Sequence, residues 1–141
     1  RGVVQHDNGI VEAPIARSVE DRRKMAVDLE CEKEAVTRYA VLERFLDATL
    51  LELRLGTGRT HQIRVHMAHI GHPLLGDETY GLKAPIGRPA LHAKTIGFTH
   101  PTTGKYVEYT SKLPRDLEKL IKDLRAAKAA AAAQAERAKR K

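Results

Sequence analysis

The chain has 141 residues, of which 42% are hydrophobic and 30% are charged, and its formal net charge is +7 at pH 7. This length allows one globular domain with a modest core and is too short for two. No apolar stretch is long enough to cross a membrane, and the single cysteine, Cys31, excludes an internal disulfide framework and suits a reducing cytoplasm. We therefore expect a cytoplasmic protein that does not enter a membrane.

The N-terminal part of the sequence predicts strands. Residues 9–15 have the pattern of a short strand that ends at Pro14, and the charged residues 17–24 predict a surface loop. Residues 34–45 alternate with partly apolar faces on both sides, and residues 51–55 alternate as a returning strand after a turn at Asp47 and Ala48. These two segments therefore predict an antiparallel hairpin.

The periodicity then changes to that of a helix. Ile63, Met67 and Ile70 have the spacing i, i+4, i+7, which places them on one buried face of a helix over residues 60–70. Thr60 is the predicted N-cap and Gly71 the predicted C-terminal stop. The glycine- and proline-rich residues 71–89 predict a structured loop.

The C-terminal part predicts a second hairpin, a helix and a basic tail. Strands are expected at 90–99 and 105–110 around a turn, and Pro114 is expected at the first position of a helix whose core face is Leu117, Leu120, Ile121 and Leu124. Residues 125–141 contain six Lys/Arg and one Glu, a net charge of +5, which leaves only +2 for the rest. We divide the chain into a body, 1–124, and an alanine-rich basic helical tail, 125–141, which serves solubility or contacts RNA phosphates.

The start of the predicted helix over 60–70 carries an unusual positive charge. Arg59 and Arg64 flank its first turn, where a cation opposes the helix dipole, and His61 shares a helical face with Arg64. An anion gripped by the arginine and the helix end would explain this arrangement. A structural ion pair with nearby Asp77 would explain it equally well, and the residues alone leave both interpretations open.

Other sites fit the sequence poorly. The four histidines between His61 and His72 lack an acidic or thiol partner at a usual metal-ligand spacing, so we expect no metal site. Gly56-Thr57-Gly58 lacks the third glycine of a dinucleotide fingerprint, and the chain has no P-loop ending. No serine lies in a nucleophile-elbow context, which argues against a hydrolase triad.

Residues 58–81 carry the motif of a known family. The run Gly58-Arg-Thr-His-Gln-Ile-Arg-Val-His-Met-Ala-x-Ile-Gly-His-Pro-Leu-Leu-Gly-Asp77-x-x-Tyr80-Gly81 resembles the signature of RluA-type pseudouridine synthases. Further matches follow the family's order on both sides, including Gly9-x-Ile-x-Ala-Pro-Ile-x-Arg17, Thr37-x-Tyr-x-Val-Leu-Glu43, Arg88-x-Ala-Leu-His-Ala93 and Leu113-Pro-x-Asp-Leu117. The resemblance extends over about residues 9–124 and leaves only the basic tail outside.

The resemblance implies an activity and a set of site residues. Members of this family convert uridine to pseudouridine in ribosomal or transfer RNA without a cofactor or metal. An aspartate attacks the nucleoside, the base–sugar C–N bond breaks, the uracil turns and a C–C bond forms at C5. The arginine that pairs with this aspartate matches Arg64, which would keep the carboxylate ionised and aimed while the base is flipped from its stack. We assign Arg59, His61 and Gln62 to binding of the RNA substrate.

One element of the family's pattern is missing. The nucleophile lies in an Arg-Leu-Asp sequence, and no such sequence occurs in this chain. We therefore expect a C-terminal part of a pseudouridine synthase catalytic domain that is inactive alone, or alternatively a non-catalytic RNA-binding module on the same scaffold. The expected fold is α+β, part of the pseudouridine synthase fold, with a largely antiparallel mixed sheet flanked by helices.

Overall fold

The computed structural model describes residues 1–140 and has an α+β architecture, as the sequence predicts. Its elements in chain order are β1 (Asn8–Glu12), β2 (Ile15–Arg17), β3 (Met25–Val27), β4 (Val36–Arg44), β5 (Thr49–Leu55), α1 (Gln62–His69), β6 (Thr95–Thr99), β7 (Tyr106–Thr110) and α2 (Arg115–Lys139). All strand pairs are antiparallel within this part of the chain.

The largest sheet confirms the predicted hairpin. Its strand order is β1-β4-β5, with Val11 opposite Thr37 and Tyr39 opposite Leu53, and a register shift between Val41 and Glu43. Residues on one face of this sheet pack with Met67 of α1 into a core cluster. The alternation of residues 34–55 therefore places α1 against a fixed face of the sheet.

The strands form three separate antiparallel sheets. β2 pairs only with β3, and β6 pairs only with β7. The expected loop over residues 17–24 is in fact the turn of the β2–β3 hairpin, whose first strand includes Arg17. Strands of three residues are too short to produce a detectable period, which is why β3 was absent from the prediction.

Helix α1 differs from its prediction at the start and agrees with it at the end. The predicted N-cap Thr60 is wrong, because the cap position is His61, in the left-handed region at φ 54° and without a side-chain cap bond. Gly71 ends the helix at φ +84°, where a residue without Cβ is least strained. The left-handed His61 turns the chain sharply between the loop that carries Arg59 and the helix that carries Arg64.

Helix α2 anchors the C-terminus with the predicted apolar face. Leu117 and Ile121 are buried, and Ile121 packs in a cluster with Phe45 and Ala48. Pro114 is the N-cap rather than the first helical residue, a difference of one position. The helix continues without a break beyond residue 124, so the division into 1–124 and 125–141 stays a prediction. None of the described helices is long and apolar enough to cross a membrane.

Candidate active site

Arg64 forms a two-pronged ion pair with Asp77. Its Nε donates to one carboxylate oxygen of Asp77 at 2.7 Å and its Nη2 to the other at 2.9 Å. The Arg64 side chain is 19% exposed, whereas that of Asp77 is 0% exposed. Of the two open interpretations of Arg64, the structure therefore contains the ion pair, and Nη1 makes no hydrogen bond to any residue from 1 to 140.

The Asp77 carboxylate accepts four hydrogen bonds. Besides Arg64, the backbone N–H groups of Thr79 and Tyr80 donate to its Oδ1. Burial by itself would raise the pKa of Asp77, but the Arg64 guanidinium and these N–H groups outweigh it and lower the pKa below the ordinary 3.8. Gly76 makes the close packing possible, because it lies at φ +75° and a Cβ there would overlap the carbonyl oxygen of Arg88.

Tyr80 joins Arg64 to His61. The Arg64 guanidinium carbon lies 4.9 Å from the centre of the Tyr80 ring, a cation–π distance. The Tyr80 hydroxyl accepts from the backbone N–H of Met25 at 2.9 Å and lies 2.9 Å from His61 Nδ1. If the hydroxyl donates to Nδ1, the neutral His61 ring carries its proton on Nε2. The pKa of His61 is lowered, mainly by burial and to a smaller extent by the charge of Arg64. The site therefore contains a neutral imidazole beside a fixed cation.

Gln62 lies inside the protein instead of facing the site. It is 3% exposed, and its Oε1 accepts from Thr57 Oγ1 at 2.8 Å and from the backbone N–H of Arg59 at 2.9 Å. Its Nε2 donates to the carbonyl of Val36 and to Thr37 Oγ1, both at 2.9 Å. The substrate contact assigned to Gln62 stays a prediction, and the role that these bonds define is to hold the loop before α1.

His66 extends this buried network. Its Nε2 lies 2.8 Å from the carbonyl of Ala13, which can only accept, so Nε2 carries the proton. Nδ1 therefore accepts from Thr37 Oγ1 at 2.8 Å. The same Thr37 oxygen accepts from Gln62 Nε2. Burial lowers the pKa of His66 and favours this neutral form. A single arrangement of hydrogens satisfies the whole chain of buried polar groups, which fixes α1 against the sheet.

Arg59 lies on the surface beside this cluster. Its Nε donates to the carbonyl of Glu34 at 2.9 Å, and its side chain lines a cleft of about 390 Å³. His61 and Arg64 share a contact with Tyr80, whereas Arg59, at the same end of α1, is directed to the carbonyl of Glu34. No group of three or more metal-ligating side chains is found within residues 1–140.

Comparisons with known proteins identify the relatives of this chain. The family model described as RNA pseudouridylate synthase matches residues 2–69. Bacillus subtilis YlyB, an uncharacterized RNA pseudouridine synthase, is 52% identical over 126 residues, which cover 88% of this chain and 41% of that protein. The ribosomal large subunit pseudouridine synthase D of Pasteurella multocida is 46% identical over 133 residues, covering 84% of this chain and 41% of that protein.

The chain belongs to the RluA-type pseudouridine synthase family. The solved structure of human RNA pseudouridylate synthase domain containing 1 superimposes with a TM-score of 0.68 at 30% identity, over 89% of this chain and 62% of that one. The chain spans about two fifths of the length of the curated relatives named above.

The sequence-based site leaves out several residues that lie beside Arg64 or Arg59 in the structure. Tyr80 was quoted in the motif but given no role, although its spacing of three from Asp77 places it where the same turn can position both. Sequence analysis assigns no site role to Arg17, in the predicted loop 17–24, or to Lys33, for which no element is predicted, because neither charge has a periodic signal. Only the folding of the β2–β3 hairpin against the loop before α1 brings them next to Arg59.

Proposed function

We propose that this chain forms the arginine-bearing part of an RNA pseudouridine synthase active site and acts on ribosomal RNA. The observation that carries the proposal is the state of Arg64. Two of its nitrogens are fixed on Asp77 and its face is packed on Tyr80, while Nη1 is left for a further acceptor. A guanidinium held in this way can pair with the nucleophilic carboxylate without reorganising.

Asp77 is poorly suited to be that nucleophile. Its side chain is fully buried, and both oxygens accept hydrogen bonds from Arg64 or from backbone N–H groups. An attacking carboxylate needs a free lone pair that can approach the anomeric carbon of the nucleoside. We therefore infer that Asp77 is a positioning residue for Arg64, and that the attacking aspartate lies in an Arg-Leu-Asp segment that this sequence does not contain.

The other residues assigned to RNA binding act either directly or indirectly in this proposal. Arg59 and His61 bind the RNA directly, since both are exposed beside Arg64. Gln62 acts indirectly, because its amide oxygen holds the backbone of Arg59. A role in modifying ribosomal RNA also favours a cytoplasmic location, because bacterial ribosomal RNA is in the cytoplasm.

A second candidate function is a non-catalytic RNA-binding module. The observation in its favour is the same ion pair, because Asp77 already neutralises Arg64 and no further carboxylate is needed to stabilise it. The two functions differ in one respect. Only the enzyme requires that Arg64 contact an aspartate from outside the present sequence.

A chimeric enzyme separates these candidates. In the chimera, this chain replaces the matching stretch of the Pasteurella multocida relative, and the rest of that protein's sequence is kept. Pseudouridine in large-subunit RNA is then mapped by carbodiimide treatment and primer extension. We expect the chimera to restore the modification in a strain without the relative, and the isolated 141-residue chain to produce none.

The decisive variant is Arg64→Ala in the chimera. We expect it to lose turnover by at least 100-fold, whereas the control Arg54→Ala, on an exposed strand position, should retain it. A chimera that folds but never modifies RNA would favour the binding module. Turnover by the isolated chain would contradict the assignment of the nucleophile to a segment outside it.

A further inference from the structure

A cleft beside the candidate active site carries positive charge that no carboxylate neutralises. It lies between the β2–β3 hairpin, residues 31–33 and the loop before α1, and has a volume of about 390 Å³. Its cationic side chains are Arg17, Lys33 and Arg59. This volume is within the range of small-ligand sites, about 300–1,000 Å³.

Both arginines in this cleft are held by backbone carbonyls and not by carboxylates. Arg17 Nη1 donates to the carbonyl of Arg22 at 2.7 Å, and Arg59 Nε donates to the carbonyl of Glu34 at 2.9 Å. Neither residue, nor Lys33, lies within ion-pair distance of a carboxylate anywhere in residues 1–140. Carboxylates pair with six arginines outside the cleft, namely Arg23, Arg44, Arg54, Arg64, Arg88 and Arg125.

This anchoring orients charge without cancelling it. A backbone carbonyl fixes one N–H of each guanidinium and leaves the other N–H groups and the full positive charge for a ligand. Three cations near one cleft repel one another, and an anion between them removes that repulsion. No acidic side chain lines the cleft, although Glu32 and Glu34 are close in sequence. The best ligand is therefore an anion with several oxygen acceptors, such as a phosphate group.

The cleft is connected to the Arg64 cluster. Met25 lines the cleft, and its backbone N–H donates to the hydroxyl of Tyr80, on which Arg64 is packed. Thr60 lines it as well and directly precedes His61. A phosphate held here would thus lie next to a nucleotide whose base is at Arg64.

We propose that this cleft binds a backbone phosphate that flanks the target uridine of the RNA substrate. The proposal rests on the proposed function only for the identity of the ligand as RNA. Ala16 and Met25, both half-buried, line the same cleft and face the adjoining ribose in this proposal. The cleft fixes the position of the strand, while the Arg64 cluster acts on the flipped base.

The test is binding of a fluorescein-labelled 12-nucleotide oligouridylate to the 141-residue chain by fluorescence anisotropy, at several salt concentrations. The double variant Arg17→Gln, Lys33→Gln should weaken binding at least tenfold. It should also reduce the slope of log affinity against log salt by about 0.7, the value for one phosphate of a single strand. The matched control is Lys105→Gln, Lys112→Gln, which removes the same charge at exposed positions outside the cleft.

Three results would overturn the proposal. The first is no saturable binding of the oligouridylate to the unmodified chain, and the second is an equal loss in the cleft and control variants. The third is equally tight binding of a thymine peptide nucleic acid of the same length, which has bases but no phosphates. Thermal unfolding of each variant controls for folding, and the single variant Lys33→Glu repeats the test if the double variant unfolds. Because none of these measurements requires turnover, an inactive chimera with intact binding defeats the enzymatic function alone.

Discussion

Arg64 and Arg59 are five residues apart at the same end of α1, but only the charge of Arg64 is neutralised by a carboxylate. Arg64 is mostly buried, and a fully buried carboxylate neutralises it. Arg59 is exposed, is held by the carbonyl of Glu34 and has no carboxylate partner within residues 1–140. The first arrangement fixes a geometry, whereas the second keeps a charge available.

The comparison explains why two similar residues should have different consequences when they are changed. A buried charge that loses its partner destabilises the fold, because its desolvation is no longer compensated. An exposed charge that is removed hardly affects the fold but weakens the attraction for an anionic ligand. The measurements below test this contrast in order of decreasing effect on stability.

The largest effect is expected for Asp77→Asn. The substitution keeps the shape of the side chain but leaves the Arg64 guanidinium uncompensated, and removing one partner of a buried pair costs about 3–5 kcal/mol. Urea unfolding followed by circular dichroism measures the change. The control Glu78→Gln, at the exposed neighbouring position, should leave the midpoint unchanged. A loss below about 1 kcal/mol would show that the pair adds little to the fold.

A smaller loss is expected for Gln62→Leu. Leucine fills most of the volume but leaves the Thr57 hydroxyl and the N–H of Arg59 without their acceptor, at a cost of about 1–3 kcal/mol. The same variant should weaken oligouridylate binding, because the loop of Arg59 loses its attachment. Unchanged stability together with weaker binding would instead indicate direct substrate contact by Gln62.

The pH dependence of stability tests the buried network beneath this end of α1. Folding lowers the pKa of His66 below its ordinary value of 6.5. Between the folded pKa and 6.5, the unfolded chain therefore binds more protons than the folded chain. The free energy of unfolding should therefore be greatest above pH 6.5 and fall as the pH falls through the folded pKa. The lowered pKa of Asp77 has the same sign and adds a further loss below about pH 3.8.

His61 must be separated from His66 in this measurement, since its pKa is lowered as well. We would record urea midpoints from pH 5 to 8 in His61→Gln, with His69→Gln at an exposed position as the control. If His61→Gln still loses stability on acidification, we attribute this loss to protonation of His66 in the buried network. A flat profile in that variant would mean that His66 does not resist protonation in the folded state.

The smallest effect on stability is expected for Arg59→Gln. Its side chain makes one hydrogen bond to a backbone carbonyl and is otherwise exposed, so the urea midpoint should stay within the error of the wild-type value. Binding of oligouridylate should nevertheless weaken several-fold. A variant that is destabilised but binds normally would reverse the contrast between Arg59 and Arg64.

Sequence patterns predicted the elements that have clear periodicity. The alternation of residues 34–55 identified β4 and β5, and the leucine spacing after Pro114 identified the buried face of α2. Patterns missed β3, which has only three residues, and misplaced the cap of α1. His61 adopts a left-handed conformation, and its side chain contacts Tyr80, nineteen residues away, which no local pattern indicates.

The same distinction holds at the candidate site. Sequence spacing brought Arg59, His61 and Arg64 to one end of a helix, and the motif placed them in the pseudouridine synthase family. It left open whether Arg64 faced Asp77 or a ligand, since both interpretations need only a cation at that position. In the structure Asp77 is fully buried and paired with Arg64, and the neighbouring Gly76 lies where a Cβ would overlap the carbonyl oxygen of Arg88.

By itself, the sequence determined the family, the helix and hairpin that carry the motif, and the cationic residues near the helix start, because these depend on local periodicity and residue identity. Only the tertiary structure decided which cations are neutralised. Arg17, Lys33 and Arg59 lie far apart in the chain, and Asp77 reaches Arg64 from a loop thirteen residues away. Whether a charge is compensated depends on distance in space and on burial, and neither quantity is encoded in spacing along the chain.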